Sequence, residues 1–304
     1  MKKVLFILGP TAVGKTKLGV MLAQKFNGEI ISADSVQIYR GLDIGSAKVT
    51  KDEMQNVVHH AIDILYPNEE FSVFEFVEYT KNKIDEIISR GKLPIVVGGT
   101  GLYIKALTMG YNFGGANKDI NLREKYETLA KEKGNEVLFE ILKQKNLELA
   151  EKTDKNNRVR LIRALEIAEN GGEKETSKVD IQPLLIGLVR DRQNLYNDIN
   201  KRVDIMIKNG LVEEVEKLKQ QGLTAQNQSM RSIGYKEVLS FFDGEYDYEK
   251  MIDLIKQHSR NYAKRQLTFM RGMKDINFFD VEDKNTQQNI EKLVGDFLKW
   301  TNWK

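Results

Sequence analysis

The sequence predicts an α/β fold: a P-loop NTPase-like parallel sheet core carrying an inserted helical domain. Three observations lead there. The apolar run Val4 to Leu8 enters the loop Gly9-Pro10-Thr11-Ala12-Val13-Gly14-Lys15-Thr16, and a helical pattern begins near Lys15. Two further apolar runs, Leu93 to Val97 and Leu184 to Val189, read as continuously buried strands of a parallel sheet. Between them lies a long charged helical stretch, with Gly110, Gly114 and Gly115 before it and the polar Gly171 to Ser177 after it.

In chain order, Val4 to Leu8 is the first strand, and an apolar strand over Ile30 to Ala33 ends at Asp34. Alternating strand and helix patterns continue to about Tyr111. The insertion is expected over 112–178, with helices at Asp119 to Lys133, Asn135 to Gln144 and Arg158 to Asn170. Leu184 to Val189 returns to the sheet. Helical patterns come next at Tyr196 to Gln220, Ser232 to Phe242 and Tyr248 to Met273, then a short strand at Ile276 to Val281. The core is therefore expected in 1–111 and 179–304, with the insertion as a separate helical domain.

The glycine loop carries the clearest chemistry. Its glycines let successive backbone N–H groups turn inward around phosphate oxygens, Lys15 adds a point charge, and the Thr16 hydroxyl is placed to ligate Mg²⁺. The helix after the loop aims its positive end at the same anion. This predicts a bound di- or triphosphate, ATP among the candidates, without saying what happens to it. No second apolar strand ends in Asp: Leu93 to Val97 runs into Gly98-Gly99-Thr100-Gly101, and Leu184 to Val189 into Arg190. A motor or switch NTPase is disfavoured, whereas a transferase or a small-molecule kinase stays open.

Asp34 reaches the carboxyl edge of the sheet, where ligands of open α/β sheets bind and where a carboxylate can accept a proton. Asp is equally a favoured helix cap, so both readings stand at this stage. His59-His60 with Asp63 is not read as a metal site. Adjacent side chains of an extended segment point to opposite faces, and a hard cation prefers oxygen ligands.

With 304 residues, 41% hydrophobic and 30% charged, the chain can bury one large core or two modest ones. It has no Cys, which excludes disulfides and thiolate metal sites. The apolar run after Met1-Lys2-Lys3 is too short for a signal peptide, and no stretch approaches the ~20 apolar residues of a membrane span. A cytoplasmic protein is expected. A net charge of +3 is only weakly basic, so distribution matters more. Lys256, Arg260, Lys264 and Arg271 recur at helical spacing as a cationic stripe, and Arg158, Arg160 and Arg163 open another helical pattern. Such stripes suit a phosphate backbone, although a solvated helix face carries the same pattern.

Six stretches in order along the chain carry a specific resemblance: Gly9 to Thr16, Ser32-Ala-Asp-Ser-Val-Gln-Ile-Tyr-Arg-Gly-Leu-Asp-Ile-Gly45, Pro94-Ile-Val-Val-Gly-Gly-Thr-Gly-Leu-Tyr103, Arg163 to Glu166, Ser229-Met-Arg-Ser-Ile-Gly-Tyr-Lys236, and Tyr262-Ala-Lys-Arg-Gln-Leu-Thr268. In these the chain resembles the tRNA dimethylallyltransferases, the bacterial tRNA isopentenyltransferase family. Ser46 stands where the family commonly has Thr, and Phe269 where a Trp often comes after the last stretch. The zinc finger of some eukaryotic relatives has no counterpart in a chain without Cys.

The resemblance implies transfer of a dimethylallyl group from dimethylallyl diphosphate to N6 of the adenosine beside the anticodon, position 37, with release of diphosphate. It implies Mg²⁺ as cofactor, the tRNA anticodon stem-loop as partner, no membrane, and a monomer. Asp34 would be the base, with Thr100 and Lys15 at the reacting centre. Gly9, Pro10, Thr11, Ala12, Val13, Gly14, Lys15, Thr16 and Arg202 would hold the diphosphate, Thr16 also ligating the metal. The tRNA side would comprise Asp34, Ser35, Val36, Gln37, Tyr39, Thr100, Arg123, and Val159, Arg160, Leu161, Ile162 and Arg163. It would continue with Arg231, Ser232, Ile233, Gly234, Tyr235 and Lys236, and with Lys264, Arg265, Gln266, Leu267, Thr268, Phe269, Met270 and Arg271.

Overall fold

The computed structural model describes residues 1–110, 119–170 and 180–299. Gly114, Gly115, the loop Gly171 to Ser177 and the expected boundaries near 111 and 178 lie outside the described residues. The chain runs Lys2–Leu8 (β1), Lys15–Lys25 (α1), Gly28–Ala33 (β2), Lys51–Met54 (α2), His59–His60 (β3), Val73–Ser89 (α3), Leu93–Gly98 (β4) and Gly101–Met109 (α4). It continues through Ile120–Lys133 (α5), Asn135–Lys145 (α6), Leu147–Glu151 (α7) and Arg158–Asn170 (α8). The remaining elements are Ile181–Val189 (β5), Arg192–Lys208 (α9), Leu211–Gln220 (α10), Tyr235–Phe242 (α11), Tyr248–Arg271 (α12), Ile276–Asp280 (β6) and Thr286–Lys299 (α13).

The strands form one six-stranded sheet in the order β3-β2-β4-β1-β5-β6, every pairing parallel. Val4 to Leu8 are all buried, because a central parallel strand is covered on both faces. That is why it reads as a continuous apolar run rather than an alternation. Leu5 lies opposite Ile95 on one side and Leu184 on the other. The strand order sets β2, β4 and β1 side by side. Asp34, Gly99-Thr100 and the Gly9 to Thr16 loop come directly after the carboxyl ends of these three strands, so they emerge from one stretch of sheet edge.

The chain divides into two compact units, Met1–Thr108 with Val179–Lys304, and Met109–Lys178. In the second unit α5, α6, α7 and α8 enclose Tyr126, Leu138, Leu142, Leu161 and Leu165. Glu166 is fully buried there. Its carboxylate is met by Arg123 through Nε and Nη2 at 2.6 and 2.8 Å, by Arg163 at 3.2 Å and by the Asp119 amide at 3.1 Å. A buried charge persists only when compensated in this way.

Three elements depart from the sequence reading. The helical pattern Tyr196 to Gln220 is two helices, α9 and α10, parted at Asn209-Gly210 where Gly210 has φ +96°. The pattern Ser232 to Phe242 becomes helical only at Tyr235, after the single 3₁₀ turn Ser229–Arg231. The sequence reading has no helix after the last strand, yet α13 buries Ile290 and Val294 in the sheet's core cluster. Its polar opening, Thr286-Gln-Gln-Asn289, hides the 3.6-residue period. Among the described residues no helix is long and apolar enough to cross a membrane.

Candidate active site

The glycine loop joins β1 to α1. Gly14, the N-cap of α1, has φ 94°, a left-handed conformation that glycine adopts without strain, and it supplies no side-chain cap. The first N–H groups of α1 therefore face outward without a side-chain cap at the positive end of the helix, which is the geometry of an anion site. Lys15 Nζ donates to the Pro10 carbonyl at 2.7 Å. Burial, with Arg202 adding repulsion, lowers the Lys15 pKa to about 7, and Asp34 opposes the fall. Arg202, on α9, is likewise lowered by burial, with Asp34 and Glu53 pulling the other way. Two crowded cations with one nearby carboxylate leave the site short of negative charge.

These groups line one cavity of ≈ 460 Å³, which takes in Thr11, Lys15 and Thr16 of the loop, Asp34 to Gln37, Arg202, and residues of α12. Asp34 stands directly after β2. Its Oδ1 accepts the Val36 and Gln37 amides at 2.8 and 3.3 Å, while Oδ2 has no hydrogen-bond partner among the described residues. The cap-like and the proton-accepting readings are thus compatible, one per oxygen. Gln37 is fixed at both ends of its amide. Oε1 accepts from Ser32 Oγ at 3.1 Å, and Nε2 donates to the Ser46 and Ala47 carbonyls at 3.4 and 3.3 Å. The next loop is held from afar: Glu214 on α10 accepts the amides of Asp43, Ile44 and Gly45 at 3.0, 2.8 and 3.1 Å and the Tyr235 hydroxyl at 2.7 Å.

Thr100 lies just before α4, its carbonyl accepting the Tyr103 and Ile104 amides. It is not among the cavity-lining residues; its hydroxyl instead bonds Tyr262, which does line the cavity. Burial, reinforced by Asp34, pushes the Tyr262 phenol up to about 12. Neither Tyr262 nor Glu214 is among the site residues expected from the sequence. Tyr262 could have been found, since it sits four residues before Gln266 on one helix face.

The expected tRNA-side residues divide. Ser35, Val36, Gln37, Arg231, Ser232, Ile233, Gly234, Lys236, Arg265 and Gln266 line the cavity. Lys264, Thr268 and Arg271 on α12 and Arg160 on α8 are exposed, and Val159 is 77% exposed. Tyr39, Tyr235, Met270, Leu161 and Ile162 are buried, and Leu267 packs on the core, so their side chains do packing work instead. Arg123 is engaged by Glu166, Phe269 packs over Gly101, and Gln266, 7% exposed, is turned onto the glycine loop. The cationic stripe also narrows. Lys256 pairs with Asp204 and Arg260 bonds Asn200, each at 2.6 Å on α9, which leaves Lys264 and Arg271 exposed, with Arg265 exposed at the cavity, its guanidinium 5.6 Å from the Tyr262 ring centroid. His60 joins Arg90 and Lys92 around the buried Glu29. No group of three or more His, Cys, Asp or Glu among the described residues is arranged to hold a metal.

Fold and cavity define a class: an open parallel α/β protein in which an anion-accepting loop faces a carboxylate across one cavity, the build of a group-transfer protein. The family model described as IPP transferase matches residues 37–273, and that described as isopentenyl transferase matches residues 2–63. A tRNA dimethylallyltransferase of Oceanobacillus iheyensis is 46% identical over 300 residues, covering 96% of each chain. One of Bacillus anthracis is 47% identical over 300 residues, covering 96% of this chain and 95% of its own. The crystal structure of a full-length tRNA isopentenylpyrophosphate transferase from Bacillus halodurans superposes with TM-score 0.76 at 42% identity, covering 98% and 97% of the two chains. A eukaryotic dimethylallyltransferase acting on tRNA superposes with TM-score 0.80 at 28% identity, covering 98% of this chain and 80% of that one. The chain belongs to the IPP transferase family.

Proposed function

We propose that the protein transfers a dimethylallyl group from dimethylallyl diphosphate to N6 of the adenosine beside the anticodon, position 37, of tRNA. The observation that carries this is the joint lining of one cavity by Lys15, Arg202 and the free oxygen of Asp34. The loop holds a leaving group. As the allylic C1–O bond breaks, negative charge grows on the departing diphosphate, which Lys15, Arg202 and the glycine-loop amides other than that of Thr11 would stabilise. N6 is a weak nucleophile because its lone pair is delocalised into the ring, so Asp34 Oδ2 takes its proton as the C–N bond forms. General-base help of this kind is typically worth ~10²–10⁴-fold. Tyr262, kept neutral by its raised pKa and bonded to Thr100, orients the reacting groups as a hydrogen-bonding phenol.

Mg²⁺ fits this donor set. Thr16 lines the cavity and its hydroxyl would ligate the ion, which would enter with the diphosphate and keep mostly phosphate and water oxygens. When bound, it neutralises charge on the leaving group. The adenosine must leave its stack to reach the cavity, most cheaply from a single-stranded anticodon loop. Ser35 and Val36 together with Arg231 to Gly234 and Lys236 receive it, and Lys264, Arg265 and Arg271 position the backbone. We also assign the enzyme to the cytoplasm, as a monomer.

Incubation with an anticodon stem-loop, carbon-labelled dimethylallyl diphosphate and γ-labelled ATP tests the reading. The carbon label is expected in RNA; phosphoryl label transferred from ATP instead would make the protein a kinase.

A further inference from the structure

Gln266 carries the long helix α12 onto the glycine loop. Its Oε1 accepts the Thr11 amide at 2.8 Å, and its Nε2 donates to the Gly99 carbonyl at 3.1 Å. The amide cannot be turned over, since that would set its NH₂ against the Thr11 N–H and its oxygen against the Gly99 carbonyl. The approach is close: a Cβ on Gly99 would lie 2.0 Å from Nε2. One side chain thus ties the turn after β1 to the turn after β4, and it commits one loop amide to itself. Its helix neighbours Lys264 and Arg265 are exposed.

We propose that Gln266 is a positioning residue for the diphosphate site, setting which amides of the glycine loop face the anion, and that it makes no contact with RNA. This rests on the loop being a diphosphate site, as proposed above. The neighbouring positions divide the labour: Arg265 serves the RNA, and Gln266 holds the loop.

The test uses the full chain, Mg²⁺ with inorganic diphosphate as one probe, and an anticodon stem-loop as the other. Gln266→Met nearly keeps the volume and removes the bonds to Thr11 and Gly99 together with the side-chain hydrogen bond to Tyr262. It should weaken diphosphate binding by about 3- to 10-fold, as expected for loss of one or two such bonds, and raise the donor KM. Stem-loop affinity should move less than about twofold. Arg265→Ala should show the opposite pattern. Gly99→Ala expels the same amide while leaving Gln266 in the chain, and its Cβ would also lie 3.1 Å from the Gly9 carbonyl, so it should lose at least as much as Gln266→Met. The double variant should add nothing, because both changes remove one interaction; this also covers a Met variant that folds poorly. Wild-type diphosphate affinity in Gln266→Met, additive losses in the double variant, or a matching loss of stem-loop affinity would overturn the inference alone. A wild-type protein that fails to bind diphosphate would overturn the reading of the loop and the inference with it.

Discussion

In its proposed role of holding a phosphate Lys15 must be charged, yet burial and Arg202 lower its pKa to about 7 in the free protein. The fall from 10.5 to about 7 corresponds to ~5 kcal/mol against the ammonium form, at ~1.36 kcal/mol per unit. An anionic ligand reverses the balance and raises the pKa again, so binding draws a proton from solution. At pH 8, one unit above that pKa, roughly a tenth of Lys15 is charged, and binding should take up about 0.9 proton at this site; at pH 6 the figure is about 0.1. Affinity should be full below pH ~7 and fall by about tenfold per unit as pH rises above it, until the raised pKa of the bound state is reached. Calorimetric titration of inorganic diphosphate with Mg²⁺, in buffers of different ionisation enthalpy, reads the uptake directly. Lys15→Met supplies the reference, since subtraction removes protons released by the diphosphate itself. Equal proton uptake in the two proteins at pH 8 would mean that Lys15 is not the group being charged.

Asp34→Asn keeps an oxygen for the Val36 and Gln37 amides, so the loop should hold its shape while single-turnover transfer falls ~10²-fold or more; an unchanged rate would show that proton loss needs no help from Asp34. Replacing Lys264, Arg265 and Arg271 by Ala should flatten the dependence of log Kd for tRNA on log salt by roughly 0.7–0.9 per lost phosphate contact, and an unchanged slope in the folded variant would reduce the stripe to a solvated face. Glu29 is 2% exposed; burial raises its carboxyl, but hydrogen bonds from Arg90, His60 and Lys92 outweigh that and hold it at about 2. Its folded-state pKa is depressed, so the stabilisation is present above about 4.5 and lost as pH falls through about 2. Glu29→Gln should therefore cost about 3 kcal/mol in denaturant unfolding at pH 7, with the gap to wild type closing between those values, and a constant gap would contradict the assignment.

The parallel core was legible because strands buried on both faces announce themselves as apolar runs, and the glycine loop because its chemistry lies in contiguous residues. The break at Gly210 was not, since the hydrophobic period resumes in Leu211, Val215 and Leu218 after a single turn. The site divided along the same line. Lys15, Thr16 and Asp34 are local to their motifs. Glu214 meets Ile44 across 170 positions and Gln266 meets Thr11 across 255, and such pairings leave no periodicity to read. Arg123 is a surface-type residue by composition, and only the buried Glu166 reveals that its guanidinium is engaged inside its own unit.

The proposed chemistry is alkyl transfer to one exocyclic nitrogen. It is measured at that nitrogen by incorporation of carbon-labelled dimethylallyl diphosphate into two anticodon stem-loops that differ only beside the anticodon, adenosine in one and inosine, which lacks the N6 amine, in the other. Label is expected in the adenosine RNA, recovered after digestion as N6-dimethylallyladenosine, and none in the inosine RNA; equal labelling of both, or label at another nucleotide, would rule the chemistry out.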